Sequence, residues 1–281
     1  MLRRSFVLLV ALAAALVAVS LAPARTHAFP SRIVSLSPTA TEDLFAIGAG
    51  KQVVAVDDQS NYPTNAPHTS LSGYTPNVEA IAAYKPDLVV ISFGGAFVDQ
   101  LKSLGIPVVF ENAADNLAQA YEEIRDLGRL TGHETQATAV VHGMETQLKQ
   151  IVQSVPKSRR HLSVYHELDQ TYYSATSDTF IGRIYKLFGF RDIADAADTA
   201  HTGYPQLSAE YIVSANPDIV VLADSKCCGQ TATTVAARPG WQTISAVKSH
   251  RVITVDDDVA SRWGPRVVDF ARAVAAIAKK G

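Results

Sequence analysis

The sequence predicts an α/β protein of two pseudo-repeated lobes, each with a mainly parallel sheet, joined by a single long α-helix. The first observation is a stretch that occurs twice, at residues 77–95 and again at 206–229. With Glu79 aligned on Glu210, a Pro-Asp pair and an apolar run coincide in both copies. The second observation is a helical pattern over residues 132–155, between the copies, with no linker rich in Gly or Ser. Two such units far apart in the chain predict two similar lobes.

Each copy of the repeat predicts a helix, a turn and a buried strand. Pro86 and Pro217 disfavour a helical conformation in the residue that precedes them, so each helix ends there. The β-branched apolar runs at 88–91 and 219–222 then predict strands that are covered on both faces.

The first lobe, residues 29–131, alternates predicted strands and helices, which is typical of a parallel sheet with crossover connections. The predicted strands are at residues 31–37, 53–56, 88–91 and 107–110. Thr39 and Glu42 fit a capping box at the start of the first helix. Residues 57–74 are expected to form a polar loop.

The joining helix is predicted over residues 132–155, where a second capping-box pattern runs from Thr131 to Glu134. At about 1.5 Å per residue such a helix is about 35 Å long, enough to cross one small domain and reach another. A rigid connection of this kind predicts modest opening and closing.

The second lobe, residues 156–281, repeats the first more loosely. Its predicted strands are at residues 161–165, 219–222 and 251–255.

The first 28 residues have the composition of a signal peptide. A basic start is followed by an apolar run over residues 6–21 and a small-residue cleavage site at Ala28. The apolar run is shorter than the about 18 residues of a membrane-spanning helix. Residues 1–28 contain no Cys. The sequence therefore predicts cleavage near Ala28 and export to the periplasm or cell exterior, without a lipoprotein cysteine.

The charge and the motifs exclude several classes of function. The formal net charge is −2, and loss of three arginines with residues 1–28 lowers it to −5. A negative charge argues against nucleic acid and anionic membranes as partners. The sequence contains no GxSxG, no HExxH and no complete phosphate-binding loop. We therefore expect no enzymatic activity, no catalytic residues, no resident cofactor and no metal site. We also expect a monomer.

Ligands of open parallel sheets bind outside the carboxyl ends of the strands. If the two lobes face each other, the loops at these ends line one cleft. Several loop aromatics suit a large flat ligand, although any one of them could instead fill space beneath its own loop. The predicted ligand-binding residues are Tyr62, Tyr74, Phe93, Glu167, Tyr172, Tyr204, Arg262 and Trp263.

Two motifs leave alternatives open. Cys227 and Cys228 are adjacent, so they are either free thiols or a vicinal disulfide, which an exported setting permits. His166 with Glu167 and Asp169 is the best metal candidate in the sequence, and an ordinary loop is the alternative.

The sequence resembles the cobalamin/iron-chelate (siderophore) substrate-binding proteins of ABC importers over residues 30–278. The residues that carry the resemblance are 32–38 (RIVSLSP), Thr41 and Glu42, 48–50 (GAG), Glu79 with 85–90 (KPDLVV), 207–210 (LSAE) with 216–218 (NPD), 239–241 (PGW) and 264–266 (GPR). The resemblance implies two α/β lobes joined by one long helix. It also implies that the protein captures a bulky chelate between the lobes and delivers it to a membrane permease.

The resemblance further implies roles for particular residues. Glu79 and Glu210 correspond to the glutamates that dock each lobe onto arginines of the permease, although helix N-terminal electrostatics alone could also favour them. Tyr74, Phe93 and Tyr204 fall near the cleft aromatics of the cobalamin-binding branch.

Cobalamin or another corrinoid is the expected ligand, with a ferric siderophore or haem as alternatives. Haem would need an axial ligand, for which His166, Tyr172 or Tyr204 are the candidates. A different class of function is an exported enzyme or redox protein on the same scaffold, using His166, Glu167 and the pair Cys227-Cys228.

Overall fold

The first lobe is built on a five-stranded parallel sheet with the order β3-β2-β1-β4-β5. The structure is a computed structural model that describes residues 29–280, so the predicted signal peptide lies outside the described residues. The strands are β1 (Ile33–Leu36), β2 (Val53–Asp57), β3 (His68–Leu71), β4 (Leu88–Ile91) and β5 (Val108–Phe110). The helices are α1 (Pro38–Ala46), α2 (Val78–Ala83), α3 (Ala96–Ser103) and α4 (Leu117–Thr131). Every residue of β1 and β4 is buried, because helices cover both faces of a parallel sheet.

The second lobe is built on a four-stranded parallel sheet with the order β7-β6-β8-β9. The strands are β6 (Ser163–Glu167), β7 (Arg191–Asp192), β8 (Ile219–Leu222) and β9 (Val252–Thr254). The helices are α6 (Phe180–Leu187), α7 (Ala209–Ala215), α8 (Ser225–Cys228), α9 (Ala232–Ala236), α10 (Ser245–Lys248), α11 (Asp257–Ser261) and α12 (Val267–Ala278). The predicted α/β class with two parallel sheets is confirmed.

The two sheets have the same topology. The order β2-β1-β4-β5 in the first lobe matches β7-β6-β8-β9 in the second, and β3 is an additional edge strand. The repeated units of the sequence are α2 with β4 and α7 with β8, capped by the side chains of Asn77 and Ser208. The internal repeat of the sequence is therefore a repeat of structure.

The aspartate of each Pro-Asp pair anchors the repeat to its own sheet. Asp87 accepts hydrogen bonds from the backbone and side chain of Ser31, at 2.8 and 2.9 Å, just before β1. Asp218 accepts the same two bonds from Ser163, at the start of β6, both at 2.9 Å. Hydrogen bonds to a carboxylate are about twice as strong as neutral ones, so each anchor fixes the turn that follows its helix.

Helix α5 (Glu134–Gln153) runs between the two lobes and packs against α4 and α12. It has 20 residues, which corresponds to a length of about 30 Å. Its buried apolar residues join a hydrophobic cluster that includes Ile33 of β1 and Val164 of β6. The lobes are therefore connected through a continuous core as well as through the chain. Within residues 29–280, no helix combines the length and the apolar character needed to cross a bilayer.

The two predicted capping boxes are wrong. Ser37 caps α1 and accepts a hydrogen bond from the Ala40 backbone, because Pro38 fits the first helical turn. Glu42 instead accepts hydrogen bonds from Arg262 and Arg266. Helix α5 begins without a side-chain cap, since the Thr131 hydroxyl donates to the carbonyl oxygen of Leu127 within α4.

Several short elements were missed by the sequence prediction. Strand β3 lies within the predicted loop 57–74, and it lacked a signal because Leu71 is its one buried residue. Strand β7 and helices α8 to α11 have two to five residues each, too few for an apolar period to be recognised.

Candidate functional site

A pocket of about 330 Å³ lies between the lobes, at the carboxyl ends of the first-lobe strands. The first lobe contributes Ser37 and Thr39 after β1, Gln59 after β2, and Ser92 and Phe93 after β4. The second lobe contributes Asp258 and Ser261 of α11, and Arg262 and Trp263, which follow this helix directly. Of the eight predicted ligand-binding residues, the pocket brings together Tyr74, Phe93, Arg262 and Trp263.

Two of these aromatic residues form a stacked pair on the first-lobe wall. The ring centroids of Tyr74 and Phe93 are 5.2 Å apart, with an interplanar angle of 29°. Both side chains are exposed, at 71% and 53% of their maximum areas. Exposed apolar rings that are already paired present a flat surface at low entropic cost to a ligand.

Arg262 lies beneath the pocket and is held by four acceptors. Its guanidinium donates to Glu42 at 2.8 Å, to the Asn61 side chain at 3.0 Å, to the Gln59 carbonyl at 2.9 Å and to Asp258 at 2.8 Å. Three of these partners belong to the first lobe. Arg262 therefore links the lobes and shapes the floor of the pocket, with 8% of its surface exposed.

Glu42 is the centre of this interlobe network. Its carboxylate, 3% exposed, also accepts two hydrogen bonds from Arg266, one of them from Nε at 2.8 Å. The two arginines are 220 and 224 positions away in the chain. Burying a charged group is costly unless it is paired and hydrogen-bonded. Because the partners come from different lobes, separating the lobes at this point would break these pairs.

Trp263 couples the pocket to a group of buried and half-buried acids. Its indole Nε1–H donates to Glu123 of α4 at 2.8 Å. Burial raises the pKa of Glu123 to about 7, although the indole hydrogen bond lowers it in part. Burial, together with the nearby Glu123, raises the pKa of Glu111 to about 8. Asp43 completes the group, and its pKa is raised by burial and then by Glu111.

Two predicted residues lie in other pockets between the lobes. Tyr204 lines a pocket of about 370 Å³ together with Asp115 of the first lobe. Tyr62 lines a pocket of about 510 Å³, where the Arg266 guanidinium lies 4.3 Å from the centre of its ring. Glu42 also lines this last pocket, so the ionic network separates Tyr62 from the Tyr74–Phe93 wall.

Glu167 and Tyr172 both contact Arg238 inside the second lobe. Glu167 is fully buried, and its carboxylate accepts two 2.6 Å hydrogen bonds from Arg238. The same guanidinium lies 5.2 Å from the Tyr172 ring centre and 4.5 Å from that of Trp241. Glu167 therefore offers no free carboxylate oxygen to the cleft. Nothing in the sequence around Arg238 marks it as the partner of a residue 71 positions away, so its role is visible only in the fold.

The prediction that His166 could ligate haem or a metal is wrong. His166 is fully buried, and its Nδ1 lies 2.6 Å from the Tyr185 hydroxyl in the core of the second lobe. Burial lowers its pKa to about 3, so the ring is neutral. Among the described residues, no group of three or more His, Cys, Asp and Glu is placed to hold a metal ion.

Glu79 and Glu210 occupy equivalent positions at the starts of the repeated helices. Each lies in the first turn, at the second residue of α2 and of α7, and each side chain is exposed. An anionic side chain is favourable there whether or not a partner binds it.

Cys227 and Cys228 form a disulfide in α8, the second of the two states left open by the sequence.

Two lobes with parallel sheets, one connecting helix and a pocket between them define a two-lobed binding protein. The chain belongs to the periplasmic binding protein family, whose model matches residues 33–259. The predicted membership of a substrate-binding family is thereby confirmed.

Three similar proteins illustrate the range of this family. The chain is 35% identical over 251 residues to the uncharacterized ABC transporter substrate-binding lipoprotein YvrC of Bacillus subtilis, covering 85% of this chain and 77% of the relative. It is 33% identical over 250 residues to a cobalamin-binding protein of Halobacterium salinarum, covering 85% and 67%. A solved structure from Staphylococcus epidermidis, described as a possible iron-binding periplasmic solute-binding protein, matches with a TM-score of 0.77 and 28% identity over 89% of this chain and 99% of that one.

Replacing Glu42 with Ala should lower the free energy of unfolding by about 3–5 kcal/mol, because two largely buried guanidinium groups lose their shared carboxylate. Urea denaturation of the mature chain measures this loss. The control is Asp178→Ala, which removes an exposed 3.2 Å pair with Lys186 and should cost no more than about 1 kcal/mol. Equal losses in the two variants would contradict the central role of Glu42.

The buried acids should make stability depend on pH. The pKa of Glu111 rises from 4.5 to about 8 on folding, so the folded state retains a proton that the unfolded state releases. The resulting stabilisation is complete below about pH 4.5 and is lost as the pH rises through about 8, with a slope of at most about 1.4 kcal/mol per pH unit for one such group.

Urea denaturation between about pH 5 and about pH 9 tests this dependence. Glu111→Gln should flatten the decline, because a neutral amide has no proton to lose. Glu122→Gln, an exposed change on α4, is the control and should leave the slope unchanged. An identical slope in wild type and Glu111→Gln would refute the assignment.

Proposed function

We propose that this protein is an exported substrate-binding protein that captures a bulky chelate, with a corrinoid such as cobalamin favoured, and delivers it to an ABC import permease. The observation that carries the proposal is the exposed Tyr74–Phe93 stack, which faces a pocket shared with Trp263 of the other lobe. Flat conjugated ligands gain both area and stacking from such a wall. The cobalamin-binding relative from Halobacterium salinarum supports the choice of ligand.

The size of the cleft is compatible with a ligand that contacts both lobes. The pocket at Trp263 and the pocket at Tyr204 each lie near the lower end of the range for small-molecule sites. Both are formed by first-lobe loops facing second-lobe loops. A bulky ligand would contact Tyr74 and Phe93 on one side and Tyr204 on the other, with Arg262 and Trp263 at the base.

A ferric siderophore or haem is the second candidate. Tyr204 is the one predicted axial residue that is exposed at a pocket between the lobes, and ferric haem can be ligated by tyrosine. Burial, and then the carboxylate of Asp115, raises the pKa of the Tyr204 phenol. A raised pKa opposes formation of the phenolate in the absence of the iron.

Delivery requires export and a permease. Residues 1–28 act as a signal peptide that is cleaved near Ala28, and residues 29–131 and 156–281 form the units that move about helix 132–155. Membership of the periplasmic binding protein family supports this location. The relative YvrC is called a lipoprotein, whereas residues 1–28 here contain no Cys. The mature protein is a monomeric binder without turnover.

Binding of cyanocobalamin to the mature protein should be detectable by isothermal titration calorimetry, with one site per chain. Phe93→Ala should weaken it by about 10- to 100-fold, because one half of the stacked wall is removed. Leu104→Ala, an exposed apolar change at the end of α3, should leave affinity unchanged. Corrinoid or haem that co-purifies would be recognised from its absorption spectrum. No binding of cyanocobalamin to wild type would exclude the favoured ligand.

Docking onto the permease is proposed to use Glu79 and Glu210. The double change to Ala should leave the affinity for cyanocobalamin intact and abolish stimulation of the transporter ATPase. Glu134→Ala is the matched control, because Glu134 is also exposed in the first turn of a helix, α5. If the control lost stimulation equally, or if the double variant kept it, the docking role would be refuted.

A further inference from the structure

We infer that the disulfide between Cys227 and Cys228 adds a ligand contact on the second lobe, beside Trp263 and opposite the Tyr74–Phe93 stack. The inference rests on the proposed function and adds a binding element to it. The disulfide would contact an apolar, conjugated part of the ligand, since sulfur is polarizable and makes favourable contacts with aromatic rings.

The topology places the disulfide loop in the same position as the loop that carries Phe93. β4 lies between β1 and β5 in its sheet, and β8 lies between β6 and β9 in the other. The loop after β4 supplies Ser92 and Phe93 to the pocket. The loop after β8 leads directly into α8, which contains both cysteines. If the lobes face each other, these two loops approach the ligand from opposite sides.

The second lobe has no exposed aromatic side chain at the position equivalent to Phe93, and the disulfide is the nearest apolar group that follows it in the chain. In the alignment of the two repeats, Phe93 corresponds to Asp224. The Asp224 side chain is fully buried, so it cannot present a surface to the ligand. Cys227 is exposed and Cys228 is partly exposed three and four residues later. The apolar surface that Phe93 provides in the first lobe is therefore provided by sulfur in the second.

A network of hydrogen bonds holds this loop against α11, the helix that contributes Asp258 and Ser261 to the pocket. The Asp257 carboxylate accepts from the backbone N–H groups of Ser225, Lys226 and Cys227, at 2.9, 3.0 and 3.1 Å. The Lys226 ammonium group lies 2.6 Å from Asp258, which lines the pocket. The position of the disulfide is thus fixed relative to a pocket residue, as a preorganised binding element requires.

The first test compares affinities in the mature protein. Cys227→Ala with Cys228→Ala should weaken cyanocobalamin binding by about tenfold, the loss expected when one apolar contact is removed. The unfolding midpoint should be unchanged, because the pair lies on a short surface helix and neither cysteine is buried. Thr233→Ala, an exposed change on α9, is the control and should bind like wild type.

The second test needs no variant. Dithiothreitol reduces the disulfide by thiol–disulfide exchange, which yields two cysteine thiols and the cyclic disulfide of the reagent. The thiols are alkylated with iodoacetamide and counted by mass spectrometry. Saturating cyanocobalamin should slow reduction about tenfold, because the attacking thiolate loses access.

The results separate this inference from the proposed function. If wild type binds no cyanocobalamin, the favoured function fails and the inference fails with it. If wild type binds, but the alanine variant keeps full affinity or the ligand does not slow reduction, the inference alone is overturned. Loss of affinity together with protection from reduction supports it.

Discussion

The shared carboxylate of Glu42 is the interaction on which the arrangement of the lobes depends. Arg262 and Arg266 come from the far end of the chain, yet both donate to this one side chain inside the protein. Each of these charges would be costly to bury alone, and each is tolerable only with the others in place. Because Arg262 also holds Asp258, the same network positions the base of the pocket.

The continuous core limits how the molecule can move. Helix α5 packs on both α4 and α12, and the cluster around it includes residues of both sheets. Opening the cleft widely would separate apolar surfaces and the buried ion network, and both separations are unfavourable. A ligand site of this kind is largely formed before the ligand arrives, which reduces the entropic cost of binding.

Local patterns were sufficient to predict the central strands of both sheets, the repeat and the joining helix, since these depend on apolar runs and Pro-Asp turns. They failed where partners are distant in the chain. Glu42 has the spacing of a capping residue, but its partners lie more than 200 positions away. Glu167 was predicted to bind ligand, and only the fold reveals that Arg238 neutralises it. The rule that ligands bind at strand ends requires only the order and direction of the strands. It was sufficient to predict that Tyr74, Phe93 and Trp263 line the cleft.

The paired aspartate anchors have a mechanical consequence. Asp87 and Asp218 tie the turn after each repeated helix to the first strand of its own sheet, so α2 and α7 cannot shift without their lobes. Each exposed glutamate on those helices therefore travels with its lobe as one body. Any rotation of the lobes changes the spacing between the two carboxylates, and a surface that contacts both would sense whether the space between the lobes is filled.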